Sequence, residues 1–479
     1  MVTSALGKTF RSDNLSSFFE PESVAVIASL KEDWMGGYVV IKSLLNAGYM
    51  GSVFPVNSGY KEVLGLPAYS SIKDIHAHIE LAIIMINARG VPNIIRECGE
   101  KGIKSVIVVS DGFAERDGEG ARLQGEIVKI ARQWGISLIG PNTVGVLNSR
   151  NGFNPCPYDA GYYKLRPGVI SICSQTGMTS PQAFPYPSLR FGISKICDLG
   201  NKCDLDECDV LEFLERDPTT NVISMYLENV RDGQKFLEVA RRVVARKPLL
   251  ILKSGRTGEG AQASASHTGS LAIDDQIFDT VCQQAGILRL GGFSELFELP
   301  KIFASQPLPR GNRLGIITQS GAFGVLAVDE GARYGLTVAA LSRKTLDMLA
   351  GIFPGLGQVP VDLGPAASLT KNFFSLYPKI LDTVMADENV DSLLSNLWTD
   401  SSGRLMEHYI KAYEEVRGRY EKPLVTWVFG SNASVITELT QELEEMGFPV
   451  FSSLNRSIKA LGLAFKYASI NRQAQGDTP

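Results

Sequence analysis

Short apolar runs that end in small-residue turns and alternate with amphipathic stretches recur along this chain, and that alternation admits few folds. Strands separated by helices predict parallel sheets with helices packed on both faces. The first stretch carries VAVIA (24–28), SVFPV (52–56), LAIIMI (81–86), SVIVVS (105–110) and SLIG (137–140), with helical patterns over Gly37–Ala47 and Val91–Lys101. The second carries GVISIC (168–173), ISKICDLG (193–200), VISMYLE (222–228) and PLLILKSG (248–255). The third carries LGIITQSG (314–321), SLLSNLW (392–398), PLVTWVFG (423–430) and PVFSS (449–453), then a final helix. The expectation is an α/β chain of three domains, at residues 15–150, 151–304 and 313–468, which suits 479 residues at roughly 150 per domain. SQPLPRGNR (305–313) reads as a linker and residues 469–479 as a disordered tail.

Composition narrows the partners. A formal net charge of -4 gives no electrostatic ground for nucleic-acid or membrane-surface binding. The N-terminal MVTSALGKTFRSDN lacks an apolar signal core, and no run reaches about 18 apolar residues, so the expected location is cytoplasmic. Seven cysteines (Cys98, Cys156, Cys173, Cys197, Cys203, Cys208, Cys282) form no CxxC pair, and Cys203 and Cys208 lack further ligands downstream. Reduced thiols and no metal site are expected.

A weak repeat links the second and third stretches. VISICSQTGMTS (169–180) and LGIITQSGAFGV (314–325) both read as strand, Ser/Thr-Gln-Ser/Thr-Gly turn, then helix. Each would set N–H donors and a small hydroxyl at a helix N-terminus, a place that stabilises an anion. A plain serine-capped βα turn explains either copy alone. Of four histidines, His76, His78 and His408 lie in ordinary polar helical patterns. His267 lies in KSGRTGEGAQASASHTGSLA (253–272), read as a loop of small residues with nothing to pack an imidazole. No GxSxG or papain-like cysteine accompanies it, and histidines are too few for a metal cluster. Phosphoryl acceptance needs one imidazole, an orienting carboxylate and N–H donors. Glu228, ending VISMYLE, is the candidate carboxylate.

ASHTGSLA around His267 resembles the phosphohistidine loop of the nucleoside-diphosphate-forming acyl-CoA synthetases. EPESVAVIA, GSVFPVN, VLGLPAYSSIKDI, SDGFAE, GPNTVGVLN, SQTGMTS, DLGNKCDLDECDVLEFL, MYLENVRDG, KPLLILKSGRTG, VPVDLG, PLVTWVFG and MGFPVF continue the resemblance in order over about residues 20–468. It implies an N-terminal Rossmann-like CoA-binding domain followed by two flavodoxin-like parallel-sheet domains, the arrangement of an alpha subunit. It implies that His267 accepts phosphate and that Glu228 orients it. Ser174, Gln175, Thr176, Gly177, Gln319, Ser320 and Gly321 would bind phosphate. Ala28, Ser29, Leu30, Lys31, Asn57, Ile86, Asn87, Ser110 and Gly112 would contact coenzyme A, and Asn142 and Thr143 would line the acyl pocket. ADP/ATP (or GDP/GTP) and Mg would be bound mainly by a separate ATP-grasp beta subunit, for which this chain has no stretch. The assembly implied is a heterotetramer or a homodimer, and the substrate an acyl-CoA or a carboxylic acid.

Departures from the family pattern cluster at the CoA end. Gly-Ala-Ser after the first strand is here Ala28-Ser29-Leu30, and Val-Asn-Pro-Lys after the second is Val56-Asn57-Ser58-Gly59, leaving Lys31 or Lys61 as substitute cations. A frequent cysteine is Thr143, and the third domain's turn, Gln319 to Gly324, is bulkier than usual. These changes leave two further functions open: a standalone CoA-thioester lyase or hydrolase, and a non-catalytic acyl-CoA-binding protein.

Overall fold

Runs of β-branched and aliphatic residues with no polar alternation are suited to strands covered on both faces, and the first such run, β1 (Ser23–Ala28), is buried at every position. The computed structural model describes residues 15–184, 189–268, 274–369 and 372–475. β1 pairs in parallel with β2 (Ser52–Val56) and β3 (Leu81–Met85). β4 (Ser105–Val108) and β5 (Ser137–Ile139) complete the first sheet, in the order β2-β1-β3-β4-β5. The crossover helices α1 (Gly37–Ala47), α2 (Val91–Lys101) and α3 (Gly118–Trp134) each end on a glycine in the left-handed region, where the Cβ penalty is absent.

The second sheet contains β6 (Val146–Asn148), β7 (Pro167–Ser174), β8 (Ile193–Asp198), β9 (Val222–Leu227), β10 (Leu249–Lys253) and β11 (Leu288–Arg289), in the order β11-β10-β9-β7-β8-β6. β6 is antiparallel to β8 and comes from the end of the expected first domain, so a domain boundary at 150 cuts through this sheet's edge. Residues Met1–Leu296 form one compact unit and Phe297–Pro479 another. In the second unit β12 (Arg313–Thr318) pairs in parallel with β13 (Thr337–Val338), β14 (Val361–Asp362) and β15 (Ser392–Thr399), and β15 pairs with β16 (Leu424–Gly430). The α/β class with parallel sheets is as expected.

Several expectations change. The break between units falls at 296/297 because the next helix docks on the second unit: Lys301 pairs with Glu444 at 2.6 Å and donates to the Val450 carbonyl at 2.7 Å. The expected linker is tied down as well, with Gln306 bonded to the Gly447 carbonyl and the Leu424 N–H. The C-terminal helix continues to Gln475, so residues 469–475 are helical, and only 476–479 of the expected tail lie outside the described residues. SQTG is followed by a single 3-10 turn, Gly177–Thr179, because Pro181 cannot extend a helix. TQSG does lead into a helix, Gly321–Arg333. The loop expected around His267 is helical over Gly258–Thr268, where alanine and glutamine favour helix and the Thr257 hydroxyl accepts the Gly260 N–H at 3.0 Å.

The altered first turn is accommodated by its neighbour. A Cβ added to Gly37 would lie 2.4 Å from the Ala28 Cβ and 2.8 Å from the Ser29 carbonyl oxygen. The methyl group that Ala28 brings therefore uses the space Gly37 leaves open. Gly37→Ala is expected to cost about 1–3 kcal/mol by overpacking, with part recovered in the Ala28→Gly background. Denaturant unfolding of the single and double variants checks this, and a neutral Gly37→Ala would contradict it.

Candidate active site

The first unit brings the C-terminal ends of β1, β3, β4, β7 and β8 around one cavity of about 790 Å³, the usual ligand position in open α/β sheets. Ala28, Ser29, Asn57, Ile86, Asn87 and Ser110 line it, as do Asn142, Thr143, Thr176 and Gly177. Residues expected to contact coenzyme A, acyl group and phosphate thus share one space. Side chains hold its rim in shape: the Asn57 amide donates to the Ala28 carbonyl at 2.8 Å, and the Ser110 hydroxyl accepts the Ile86 N–H at 3.1 Å. Asn142, at φ 57°, donates its N–H to the Ser110 carbonyl at 2.9 Å.

Other expected contacts lie elsewhere. Leu30 is buried and Lys31 exposed, and neither lines the cavity. Gly112 borders a neighbouring pocket of about 410 Å³ with Asn87, Asp111, Glu115, Arg116 and Asn142. Ser174 and Gln175 brace the turn before Gly177 from within. The Ser174 hydroxyl accepts the Thr176 N–H at 2.9 Å, and the Gln175 side-chain oxygen accepts the N–H groups of Glu228 (2.8 Å) and Asn229 (3.1 Å). Glu228 is buried at the end of β9, with the Tyr226 hydroxyl donating to its Oε1 at 3.2 Å. The side chain of His267 lies outside the described residues, as do residues 269–273.

The turn after β9 is fixed by a buried charge network. Lys202, at φ 54°, pairs with Glu207 at 2.7 Å and donates to the Asn229 carbonyl at 2.9 Å. Glu207 also accepts the Arg231 N–H at 2.9 Å, while the Arg231 guanidinium reaches the carbonyls of Lys202 and Asp204 at 3.0 Å. The segment bearing Glu228 is therefore positioned from both sides.

The weak repeat is real in geometry. In the second unit the Thr318 hydroxyl accepts the Ser320 N–H at 3.2 Å and donates to the Ser320 carbonyl at 2.9 Å, as Ser174 does with Thr176. Gln319 there bonds the Tyr409 hydroxyl, and Gly321 opens the helix. An Asp-Leu-Gly follows in each unit: Asp198 accepts the Gly200 N–H at 3.2 Å and Asp362 that of Gly364 at 3.0 Å. The sequence carried this signal in CDLG and VDLG, yet Asp198 was not among the expected site residues. Met35, Pro157, Tyr158, Met178 and Gln182 also line the cavity and lie outside the expected set. Burial pushes the Asp198 carboxyl up to about 6 and nearby Glu228 adds to this, while the N–H groups of Val144 and Gly200 oppose it.

Among the described residues no His/Cys/Asp/Glu cluster is placed to hold a metal ion, and no helix is long and apolar enough to cross a membrane. The seven cysteines are buried and form no disulfide.

Residues 22–149 match the CoA binding domain family, and residues 167–303 the succinyl-CoA ligase like flavodoxin domain family. The chain is 36% identical over 462 residues to acetate–CoA ligase [ADP-forming] II of Archaeoglobus fulgidus, covering 95% of this chain and 67% of that protein. It is 33% identical over 468 residues to the alpha subunit of acetate–CoA ligase [ADP-forming] I of Pyrococcus furiosus, covering 95% of this chain and 98% of that subunit. Its structure superposes with a TM-score of 0.86 and 27% identity on the dinucleotide forming acetyl-coenzyme A synthetase 1 of Ca. Korarchaeum cryptofilum, solved with phosphate and ADP, covering 97% of this chain and 99% of that one. Shared sequence over nearly the whole of the Pyrococcus subunit places this chain in the family of ADP-forming acid–CoA ligases, in the part that the Pyrococcus enzyme carries as its alpha subunit.

Proposed function

We propose that this chain binds coenzyme A and the acyl group in the 790 Å³ cavity and carries phosphate on His267, as half of an ADP-forming acid–CoA ligase. The observation that carries this is the convergence of Ser29, Asn57, Asn142, Thr143, Thr176 and Gly177 on one space. In the thioester-consuming direction a phosphate oxygen attacks the acyl carbonyl carbon. The carbon–sulfur bond breaks, and the thiol leaves with a proton, giving acyl phosphate and CoA. A His267 ring nitrogen then takes the phosphoryl group, releasing the carboxylate, with Glu228 orienting the imidazole and stabilising its charge. Transfer to ADP completes the cycle on an ATP-grasp partner, which would also bind Mg. The Pyrococcus alpha subunit, matched over 98% of its length, supports a separate partner chain.

Coenzyme A would meet the hydroxyls of Ser29 and Ser110 and the amides of Asn57 and Asn87. The test is incubation of the chain with acetyl-CoA and radiolabelled phosphate. Wild type is expected to acquire acid-labile label and His267→Ala none. Equal labelling of the two proteins would overturn the assignment.

A further inference from the structure

The cavity has an electrostatic peculiarity. Its lining holds two carboxylates, Asp111 and Asp198, and the Tyr158 phenol, while the described lining residues include no Lys, Arg or His. On the function proposed above, the carboxylic acid, inorganic phosphate and acyl phosphate that enter are all anions. Asp198 stands where they would crowd. Its carboxylate accepts the Val144 N–H at 2.8 Å and the Gly200 N–H at 3.2 Å. Its main chain accepts the Thr143 hydroxyl at 2.5 Å and donates to the Gly145 carbonyl at 2.9 Å. The same Oδ2 would lie 3.8 Å from a Cβ placed on Gly177. One residue at 1% exposure thus joins the acyl-side wall to the phosphate-side turn.

We propose that Asp198 is a proton-linked positioning residue: it holds the 143–145 wall against the Gly177 turn and takes up a solvent proton when an anion occupies the cavity. The groups that act on it electrostatically are Glu228, from the end of β9, the buried Cys197 thiol beside it on β8, and the Tyr158 phenol in the cavity lining. Burial already brings the carboxyl to about 6, and an arriving anion adds a like charge that pushes it higher. The occupied state then binds more protons than the empty one. Anion affinity must therefore fall as pH rises from the empty-state value to the occupied-state value, by at most about tenfold per pH unit.

Inorganic sulfate is the probe, because it remains a dianion across this range. For the full chain, its calorimetric dissociation constant is expected to rise at least about tenfold between about pH 5.5 and about pH 7.5. The slope should persist in His267→Asn, and the constant should change less than about twofold in Asp198→Asn. If Asp198→Asn does not fold, Asp198→Ser replaces it. If neither folds, proton uptake by His267→Asn in two buffers of different ionisation enthalpy decides the matter. A slope unchanged without the Asp198 carboxyl, a slope lost with His267, or zero proton uptake overturns this inference alone. No sulfate binding at any pH would overturn the anion-binding part of the ligase reading, and this inference with it.

Discussion

Glu207→Ala is expected to cost the first unit about 3–5 kcal/mol, because it strands the Lys202 ammonium as an uncompensated buried charge. Both partners are almost fully buried, at 3% and 0% exposure, and their 2.7 Å contact is one link in a longer chain of bonds. Losing the Glu207 carboxylate also frees the Arg231 N–H and removes the counter-charge for the lysine that holds the Asn229 carbonyl. The damage therefore extends to the segment that presents Glu228. Urea unfolding measures the loss directly. Lys202→Met with Glu207→Leu should recover much of the stability, since replacing both charges leaves neither one unpaired. A loss below about 1 kcal/mol in Glu207→Ala would show that the network does not brace this turn.

Glu228→Gln should separate catalysis from folding. The backbone at this position is held by Gln175 and Lys202, neither of which uses the Glu228 side chain. Stability should therefore change little, while the negative charge that would orient and stabilise a phosphorylating imidazole is removed. With the partner subunit present, kcat is expected to fall by about 10²–10⁴, the range for losing a positioned acid–base group, with a smaller change in the KM for acetyl-CoA. A turnover number within a factor of about three of wild type would remove Glu228 from the mechanism.

The strands were legible because burial on both faces leaves continuous apolar runs, as in VAVIA and PLLILKSG. PVFSS was less so: it contributes only a single bridge, Val450 to Thr426, at the sheet margin. The turn chemistry of the repeat was also legible, since hydroxyl, amide and glycine recur in order. The helix expected after SQTG is instead a single 3-10 turn, and the proline that stops it, Pro181, is plain in the sequence. Around His267 the small residues predict a loop, yet several of them are helix formers and the segment is helical over Gly258–Thr268. Asp198 escaped notice for another reason. Its carboxylate accepts the N–H of Val144, a residue distant in sequence, and neighbouring residues cannot announce such a contact. The strand at Val146–Asn148, just ahead of the expected boundary at 150, likewise pairs with residues almost fifty positions later, a contact its neighbours in sequence cannot announce.

That borrowed strand bears on how genes of this family can be rearranged. A cut at the border between the two family matches, somewhere in 150–166, would strip β8 of its antiparallel neighbour and expose an edge ready to pair with other chains. In this chain the CoA-binding and ligase folds are therefore joined as one seamed piece. Recombination that respects the fold has to act outside that piece. Both relatives align with 95% of this chain, which is 67% of the Archaeoglobus protein and 98% of the Pyrococcus subunit, so each match spans the joined pair.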